Sequence, residues 1–304
     1  MVKRLLTKVF FALSHTGNNT AAGTGRRADA SPGAVPTMVA LAGHGPLVRA
    51  RKWLVDRMVA RRSRAARAYL EGKTELWELM TRAAAGTAVT GASYSDYLTL
   101  YEQVRTRRPR EILECGTGIT TVVLAYALME NAAEDRTAPG RVTSMEDDRE
   151  WYDVACARLP DEVADVVDMV HSPKKDGFYK CFRGVQYEEV PDRPYDFVFS
   201  DGPDRHSPVN GDKLFNLDFI HVVVRSKAPV FGVVDNHYLT FYILQKVFGV
   251  GLARYSVSHK LMFVGPVTRD DVRFLKKESF LPDLRIFGTT ELKLRMARED
   301  EAGG

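Results

Sequence analysis

Two glycines, with an acidic residue before them and a helix-like segment after them, carry the clearest chemical signal in the sequence. Glu114, Gly116 and Gly118 stand in the segment EILECGTGITTVVLAYAL at 111–128. Glycine permits a tight turn and lets a ligand lie close against the backbone. In an open parallel sheet, ligands bind outside the carboxyl ends of the strands, which is where this turn falls. The segment therefore predicts a ligand-binding turn between a strand and a helix.

This turn resembles the first motif of the class I S-adenosylmethionine-dependent methyltransferases, in which an acidic residue is followed by Gly-x-Gly. The resemblance implies that Glu114 faces the amino group of the cofactor. It also implies that Gly116 and Gly118 lie beneath the methionine and ribose portions. Thr121 stands where the longer Gly-x-Gly-x-x-Gly motif of dinucleotide-binding proteins has its third glycine, and we count it among the cofactor-binding residues.

The next two predicted strands also end in polar residues. Glu146 ends the strand that starts at Val142, and a carboxylate there can accept hydrogen bonds from both hydroxyls of a ribose. Asp147 is the neighbour that could take its place. At the end of the third strand, His171 and Ser172 occupy the position where the methyltransferases contact adenine, so Ser172 is a further predicted cofactor contact.

Acidic and amide side chains follow the fourth and fifth predicted strands. Asp201 follows one, and Asp235 and Asn236 follow the other. This arrangement resembles the metal-dependent O-methyltransferases of the catechol and caffeoyl-coenzyme A type, in which three such side chains hold a divalent cation that binds the acceptor oxygens. Oxygen ligands suit Mg²⁺, Mn²⁺ or Ca²⁺. The alternative is that Asp201 only contacts the cofactor and that Asp235 and Asn236 cap the following helix.

At the position of the general base, this sequence differs from the metal-dependent family. The metal-dependent enzymes place a lysine three residues after the first metal aspartate, whereas this chain has Asp204 there. His206 is our choice of base, because an imidazole can take up a hydroxyl proton near neutral pH. His237 is the alternate and Lys213 a third candidate.

The acceptor is indicated only by the segment between His171 and Pro194, which is longer than a connection needs. It interleaves basic with aromatic residues, namely Lys174, Lys175, Phe178, Tyr179, Lys180, Phe182, Arg183 and Tyr187. Long loops at the ligand edge often form binding pockets. The layout around Asp201 also resembles sugar-modifying and glucuronic acid O-methyltransferases. A sugar or another small molecule is therefore the expected acceptor, although a core segment with solvated lysines explains the pattern equally well.

Alternating strand-like and helix-like segments must position these residues, and they predict an α/β fold with a doubly wound, Rossmann-like seven-stranded sheet and helices on both faces. The predicted strands are Glu111–Glu114, Val142–Glu146, Val166–His171, Tyr195–Ser200, Pro229–Val234, Ala253–Ser258 and Lys260–Val264. The predicted helices are Ser93–Arg107, Thr121–Asn131, Arg149–Leu159, Lys213–Val224 and Leu239–Phe248. The last two strands are too close for a crossover helix and should form an antiparallel hairpin, as in the methyltransferases.

Charge is distributed unevenly along the 304 residues. Residues 1–68 contain 13 Lys and Arg against two acids, while the whole chain has a net charge of only +4, so the remainder is acidic. We divide the chain into a flexible leader (1–47), a basic helical extension (48–92), a methyltransferase domain (93–268) and a C-terminal extension (269–304). The basic helix is best explained as a solvated face, although nucleic-acid binding through residues 48–68 stays open.

Several classes of protein are disfavoured. No apolar run is long enough to cross a membrane, and three cysteines without metal-ligand spacing argue against a disulfide framework or a zinc site. A cytoplasmic protein is expected, with a signal or transit sequence at 1–25 and a homodimer both left open. Two rival functions remain. One is an NAD-dependent oxidoreductase, since Glu146 could also hold an NAD ribose, and the other is a non-catalytic RNA-binding or scaffold protein.

Overall fold

A computed structural model describes residues 46–85, 92–180, 182–235 and 237–272. The leader up to residue 45, the segment 1–25 and the extension after residue 272 lie outside these ranges, and so do Asn236 and Cys181. Of the described residues, those up to Met58 and those from Val59 onward belong to two separate compact units. All the predicted site residues except Asn236 are described, and they belong to the second unit.

Eight helices and nine strands occur in the described residues. The helices are α1 (Pro46–Gly72), α2 (Thr74–Ala84), α3 (Tyr94–Arg107), α4 (Ile119–Asp135), α5 (Arg149–Arg158), α6 (Asp161–Ala164), α7 (Asp218–Arg225) and α8 (Tyr238–Phe248). The strands are β1 (Glu111–Cys115), β2 (Arg141–Glu146), β3 (Val167–His171), β4 (Lys174–Tyr179), β5 (Phe182–Tyr187), β6 (Phe197–Ser200), β7 (Val230–Asp235), β8 (Ala253–Ser256) and β9 (Leu261–Val267). A short 3₁₀ helix, Arg269–Asp271, follows β9.

Seven strands form one sheet in the order β3-β2-β1-β6-β7-β9-β8. The first five of these pair in parallel, whereas β9 is antiparallel to both β7 and β8. This confirms the predicted doubly wound, Rossmann-like sheet that ends in an antiparallel hairpin. The strand order reverses on passing from β1 to β6, and the carboxyl ends of both strands meet at that switch point, where a ligand is expected.

Helix α4 connects β1 to β2 and shows why the central layer is stable. Its sequence is apolar on nearly every side, and Val122, Val123, Leu124 and Ala125 are all buried. A helix that is hydrophobic all round must be covered on all sides. Here α4 lies against the sheet and against α2 and α3, so both ends of the glycine turn are anchored in packed core.

The segment from His171 to Pro194 corrects the prediction of a long loop, because β4 and β5 form a separate two-stranded antiparallel hairpin. Gly184 allows Leu217 and the Phe215 carbonyl to approach, since a Cβ atom there would lie 2.6 Å from Leu217 Cγ and 2.8 Å from that oxygen. Arg183 is ion-paired with Asp176 across the hairpin. Arg183 and Asp176 therefore neutralise one another within the hairpin. Arg183 does not contribute an unpaired positive charge to a binding surface.

Helix α7 begins at Asp218, five residues later than predicted. The reason lies in the backbone hydrogen bonds of the preceding residues. Val185 N donates to Phe215 O at 2.8 Å, and Leu217 N donates to Val185 O at 2.9 Å. The chain thus runs along the outer edge of β5 before it can turn into a helix.

The helix predicted in the basic extension is confirmed as α1, and only some of its apolar residues are buried. Ala66 and Leu70 are buried, whereas Met58 and Tyr69 are exposed. In the described parts of the chain, no helix combines the length and apolar character needed to cross a bilayer.

Candidate active site

A cavity of about 660 Å³ opens at the carboxyl ends of β1, β2, β6 and β7. We call it the main cavity. Its size suits a nucleotide-sized ligand with room for a second small molecule. Its wall includes the glycine turn, the ends of β2 and β6, His237 after β7, and residues of α3 and α5. The sheet topology therefore gathers at one site most of the polar residues that the sequence singled out.

The glycine turn brings the end of β1 against the end of β6. Gly116 has a φ of +97°, and a Cβ atom there would lie 3.1 Å from Gly202 N. Its own amide donates to Met145 O at 2.8 Å. Gly118 differs, because a Cβ atom added there would meet no protein atom closer than 4.0 Å. Gly116 is thus required by the backbone of the protein, whereas Gly118 leaves open space on the cavity wall.

Glu114 lies beneath this turn and is completely buried. Its Oε2 accepts hydrogen bonds from Thr121 Oγ1 at 2.6 Å and from Ser144 Oγ at 2.7 Å. Thr121 Oγ1 in turn accepts the amide of Gly118 at 3.2 Å. In the described structure Glu114 Oε1 has no hydrogen-bond partner. Burial raises the pKa of Glu114 to about 7. The carboxyl group supports the turn through Thr121, and its contact with a cofactor amino group stays a prediction.

Glu114 should make the stability of the protein depend on pH. Burial raises the pKa of this carboxyl to about 7 in the folded protein, from 4.5 for a freely solvated glutamate. The folded state then holds more protons between these values, so its stability is fully present at low pH and falls as pH rises through 7. Because glutamine has no proton to lose, we expect Glu114→Gln to raise the free energy of unfolding above pH 7 by on the order of 2–3 kcal/mol relative to the wild type.

Thermal unfolding of the cofactor-free protein between pH 5.5 and 8.5 measures this effect. The melting temperature of Glu114→Gln should fall less steeply with pH than that of the wild type. Glu150→Gln, an exposed change on α5, is the matched control and should keep the wild-type slope. Equal slopes for all three proteins would show that Glu114 is ionised in the folded state.

Glu146 stands on the wall of the main cavity with its carboxylate held by backbone amides. Oε1 accepts from Asp147 N at 3.0 Å and from Asp148 N at 3.1 Å, and Oε2 accepts from Thr117 N at 3.2 Å. Burial is the main cause that raises its pKa, and these amide hydrogen bonds oppose it. A carboxylate fixed in this way presents its outer edge in a constant position, as the recognition of a diol requires.

Asp147 has other partners. Its Oδ1 accepts the amide of Asp204 at 3.2 Å, and its Oδ2 lies 3.4 Å from Lys174 Nζ. These contacts join the end of β2 to the loop after β6 and to β4. Asp147 therefore connects loops around the cavity, and Glu146 is the better placed of the two for a ribose.

Ser172 lies away from the main cavity. Its Oγ accepts the amide of Glu189 at 3.0 Å, and with His171 it lines a second cavity of about 300 Å³. The flank of the main cavity beyond Glu146 is formed instead by α5, through Trp151, Val154 and Ala155. The Trp151 indole donates to Thr117 O at 3.3 Å, which fixes its ring. The sequence predicts this helix, and its apolar face was the signal that could have indicated a cavity wall.

Asp201 and Asp235 approach one another from adjacent strand ends and share a hydrogen bond between their carboxyl groups. We call them the carboxyl pair. Burial raises the pKa of Asp201, and the charge of Asp96 adds to the effect. Within the described ranges, no three His, Cys, Asp or Glu side chains converge as a ligand set for a metal. The third predicted ligand, Asn236, lies outside those ranges.

His237 is on the cavity wall, and Asn216 fixes its orientation. Asn216 Nδ2 donates to Pro203 O at 2.9 Å, which assigns the other amide atom as the oxygen. His237 Nδ1 lies 3.0 Å from that oxygen and must therefore donate its proton to it. Burial, reinforced by Arg205, lowers the pKa of His237 to about 3. The imidazole is thus neutral, with Nε2 unprotonated.

His206 is placed differently from the expectation for a general base. It is exposed, its Nδ1 lies 3.0 Å from Asp204 Oδ1, and it is absent from the wall of the main cavity. Its backbone forms an isolated bridge with Lys213, which is also exposed and off the wall. Of the three predicted bases, the structure brings only His237 to the cavity.

Comparison with known proteins finds neither a matching family model nor a matching curated protein. Among solved structures, the chain is similar to the O-methyltransferase TomG from Streptomyces achromogenes in complex with SAM, at 22% identity and a TM-score of 0.36. That match covers 53% of this chain and 64% of TomG, just under two thirds of its length. An O-methyltransferase from Bacillus cereus in complex with SAH matches at 21% identity, with 57% and 69% coverage and a TM-score of 0.37.

A methyltransferase from Geobacter sulfurreducens is similar over 65% of this chain and 94% of its own, at 15% identity and a TM-score of 0.38. At these identities the similarity concerns the fold alone.

Proposed function

We propose that the protein is an S-adenosylmethionine-dependent O-methyltransferase that acts on a hydroxyl group of a small molecule or sugar. The observation that carries the proposal is the convergence on one cavity of the Gly116–Gly118 turn, Glu146 and a neutral imidazole at His237. The turn and Glu146 provide the elements of a nucleoside site. His237 provides a proton acceptor, which transfer to a hydroxyl requires.

The reaction needs few chemical groups from the protein. When bound, S-adenosylmethionine would supply an electrophilic methyl group, and the acceptor oxygen would take it as the C–S bond breaks, with neutral S-adenosylhomocysteine as the other product. The hydroxyl proton passes to Nε2 of His237, whose Nδ1–H stays bonded to Asn216. Holding oxygen, carbon and sulfur in line supplies most of the rate enhancement, because it replaces an encounter between free molecules.

A divalent cation is part of the proposal. Asp201 and Asp235 would hold it, with Asn236 as the third protein ligand, and Mg²⁺ or Mn²⁺ suits these oxygen donors. The carboxyl pair fits such an ion, since a cation can replace the proton that the two groups share. When bound, the ion would orient the acceptor hydroxyl and lower its pKa. Helix α8 begins after His237, whose own side chain makes no cap hydrogen bond.

The experiment measures transfer of a labelled methyl group from S-adenosylmethionine to an extract of hydroxylated small molecules, with and without EDTA. We expect EDTA and Asp235→Asn each to lower turnover by about 100-fold or more, because a Lewis acid contributes several kcal/mol to the transition state. Added Mg²⁺ or Mn²⁺ should restore the EDTA-treated wild type only.

Binding of S-adenosylhomocysteine should be unchanged in Asp235→Asn. Asp165→Asn, an exposed change of the same chemistry, is the matched control and should behave as the wild type. Full turnover in EDTA would remove the cation from the proposal while leaving methyl transfer in place.

A further inference from the structure

The acidic side chains on the wall of the main cavity all make hydrogen bonds or ion pairs within the protein. Each carboxylate has a partner: Glu146 accepts backbone amides, Asp147 and Asp204 pair with Lys174, Asp148 caps α5 through Trp151 N, and Asp201 bonds to Asp235. Lys174 is the basic residue used in this network. The two remaining cations of the wall are Arg158 and Arg205.

Arg158 belongs to the far end of the cavity. It is the last residue of α5, beside Leu159 and on the same helix as Trp151. It therefore stands on the flank where the nucleoside of the proposed cofactor would lie. Arg205 stands at the opposite end, four residues after Asp201 in the loop that follows β6.

The guanidinium of Arg205 has no carboxylate within 4.0 Å among the described residues, although it is half-buried on the cavity wall. Its backbone is nevertheless fixed, because the Arg205 carbonyl accepts Leu214 N at 2.9 Å. Asp201 and His237 line the same cavity as Arg205. Arg205 therefore lies on the wall of the main cavity, together with Asp201 and His237, without an ion-pair partner among the described residues.

We propose that Arg205 binds a carboxylate of the methyl acceptor, so that the acceptor is a small hydroxy acid. This inference rests on the proposed function. A guanidinium presents two parallel N–H donors that match the two oxygens of a carboxylate, a geometry that gives both strength and orientation. With the acid group on Arg205 and the hydroxyl at the carboxyl pair, the acceptor is held at two points. Two-point attachment is what an in-line displacement needs.

The main competing occupant is the carboxylate of the cofactor itself. The two cases differ in which affinity depends on Arg205. If Arg205 holds the acceptor, its removal weakens acceptor binding and leaves cofactor binding unchanged. If it holds the methionine carboxylate, removal weakens binding of S-adenosylhomocysteine by itself.

The test is calorimetric titration of the protein saturated with S-adenosylhomocysteine. The probes are hydroxy acids with their neutral amides, namely 3,4-dihydroxybenzoate with 3,4-dihydroxybenzamide and D-glucuronate with D-glucuronamide. For at least one pair, we expect the acid to bind the wild type about 10- to 100-fold more tightly than the amide, as for a hydrogen bond to a charged group. Arg205→Gln should lose this preference. Arg254→Gln, an exposed arginine on β8, is the matched control and should keep it.

Three results would overturn the inference. The first is a wild-type protein that binds none of the acids more tightly than the corresponding amide. The second is an Arg205→Gln variant that keeps the wild-type preference for the acid. The third is a loss of affinity for S-adenosylhomocysteine in Arg205→Gln, which would assign the residue to the cofactor. Wild type that does not bind S-adenosylhomocysteine at all is a separate failure, since it removes the proposed function and the inference with it.

Discussion

Replacing His237 by glutamine is expected to lower kcat for methyl transfer by about 10²- to 10⁴-fold, the usual contribution of a positioned general base. The imidazole stands on the cavity wall, and its hydrogen bond to Asn216 leaves Nε2 as the free acceptor. Glutamine keeps a polar side chain of similar reach but cannot take up a proton at neutral pH. Binding of S-adenosylhomocysteine should stay unchanged, so the loss should fall on turnover.

His206→Gln is the matched control and decides between the two histidines. Its side chain is exposed and pairs with Asp204 outside the cavity wall, so turnover should stay near that of the wild type. If His206→Gln lost activity and His237→Gln kept it, the base would be the one that the sequence favoured.

The pH profile gives an independent check of the same residue. With its pKa lowered to about 3, His237 in the unliganded protein stays neutral from pH 8 down to pH 5, so its protonation should cause no fall in kcat/KM over this range. A pKa this low makes His237 a weak base; burial is the larger cause of the low pKa, and the charge of Arg205 adds to it. A carboxylate bound to Arg205 would offset that cause and move the pKa towards the working pH.

Gly118→Val is expected to abolish detectable binding of S-adenosylmethionine and S-adenosylhomocysteine. A Cβ atom at this position meets no protein atom closer than 4.0 Å, so the folded protein has room for the new side chain. The residue lines the main cavity, however, and valine would occupy space that the ligand needs. From a micromolar wild type, corresponding to roughly −8 kcal/mol, we expect a loss of more than about 100-fold.

Two other glycines serve as comparisons for that variant. Gly251→Val is the matched control, because Gly251 is exposed and a Cβ atom there meets nothing within 4 Å. Gly116→Val is a poor test, since its φ of +97° and the approach to Gly202 N at 3.1 Å would disturb the fold as well. Thermal unfolding should show Gly118→Val and Gly251→Val close to the wild type. Undiminished affinity in a folded Gly118→Val would exclude the glycine turn from the cofactor site.

The main sheet could be predicted because its strands are short apolar runs between turn residues. The prediction for β1, Glu111–Glu114, falls one residue short of its observed end at Cys115. The hairpin of β4 and β5 could not be predicted in the same way. Gly177 and Gly184 face one another across it, and Leu217, 33 residues beyond Gly184, packs against both. A strand held by contacts so distant in sequence has no local pattern to reveal it.

The candidate site likewise has a part that could be predicted from the sequence and a part that could not. Parallel strands bring their carboxyl ends to one edge, so strand position together with the resemblance to methyltransferases indicated Gly116, Glu146, Asp201 and Asp235. The choice between His206 and His237 depends on Asn216, which is 21 residues from His237 and which the chain places beside it through the hydrogen bond to Pro203. Neither residue type nor spacing in the sequence indicates that Asn216 is a partner of His237. The wall formed by α5 was missed because an apolar helix face has the same sequence whether it packs on core or on a ligand.

Titration of the wild-type protein with S-adenosylhomocysteine and, separately, with NAD⁺ tests the assignment of cofactor most directly. We expect a single site with a micromolar dissociation constant for S-adenosylhomocysteine, about −8 kcal/mol, and no measurable binding of NAD⁺. Both ligands carry an adenosine whose ribose could bond to Glu146. A difference in their affinities therefore reports on how the rest of the cavity distinguishes the two ligands. Binding of NAD⁺ in preference to S-adenosylhomocysteine, or of neither, would contradict the assignment of the protein as a methyltransferase.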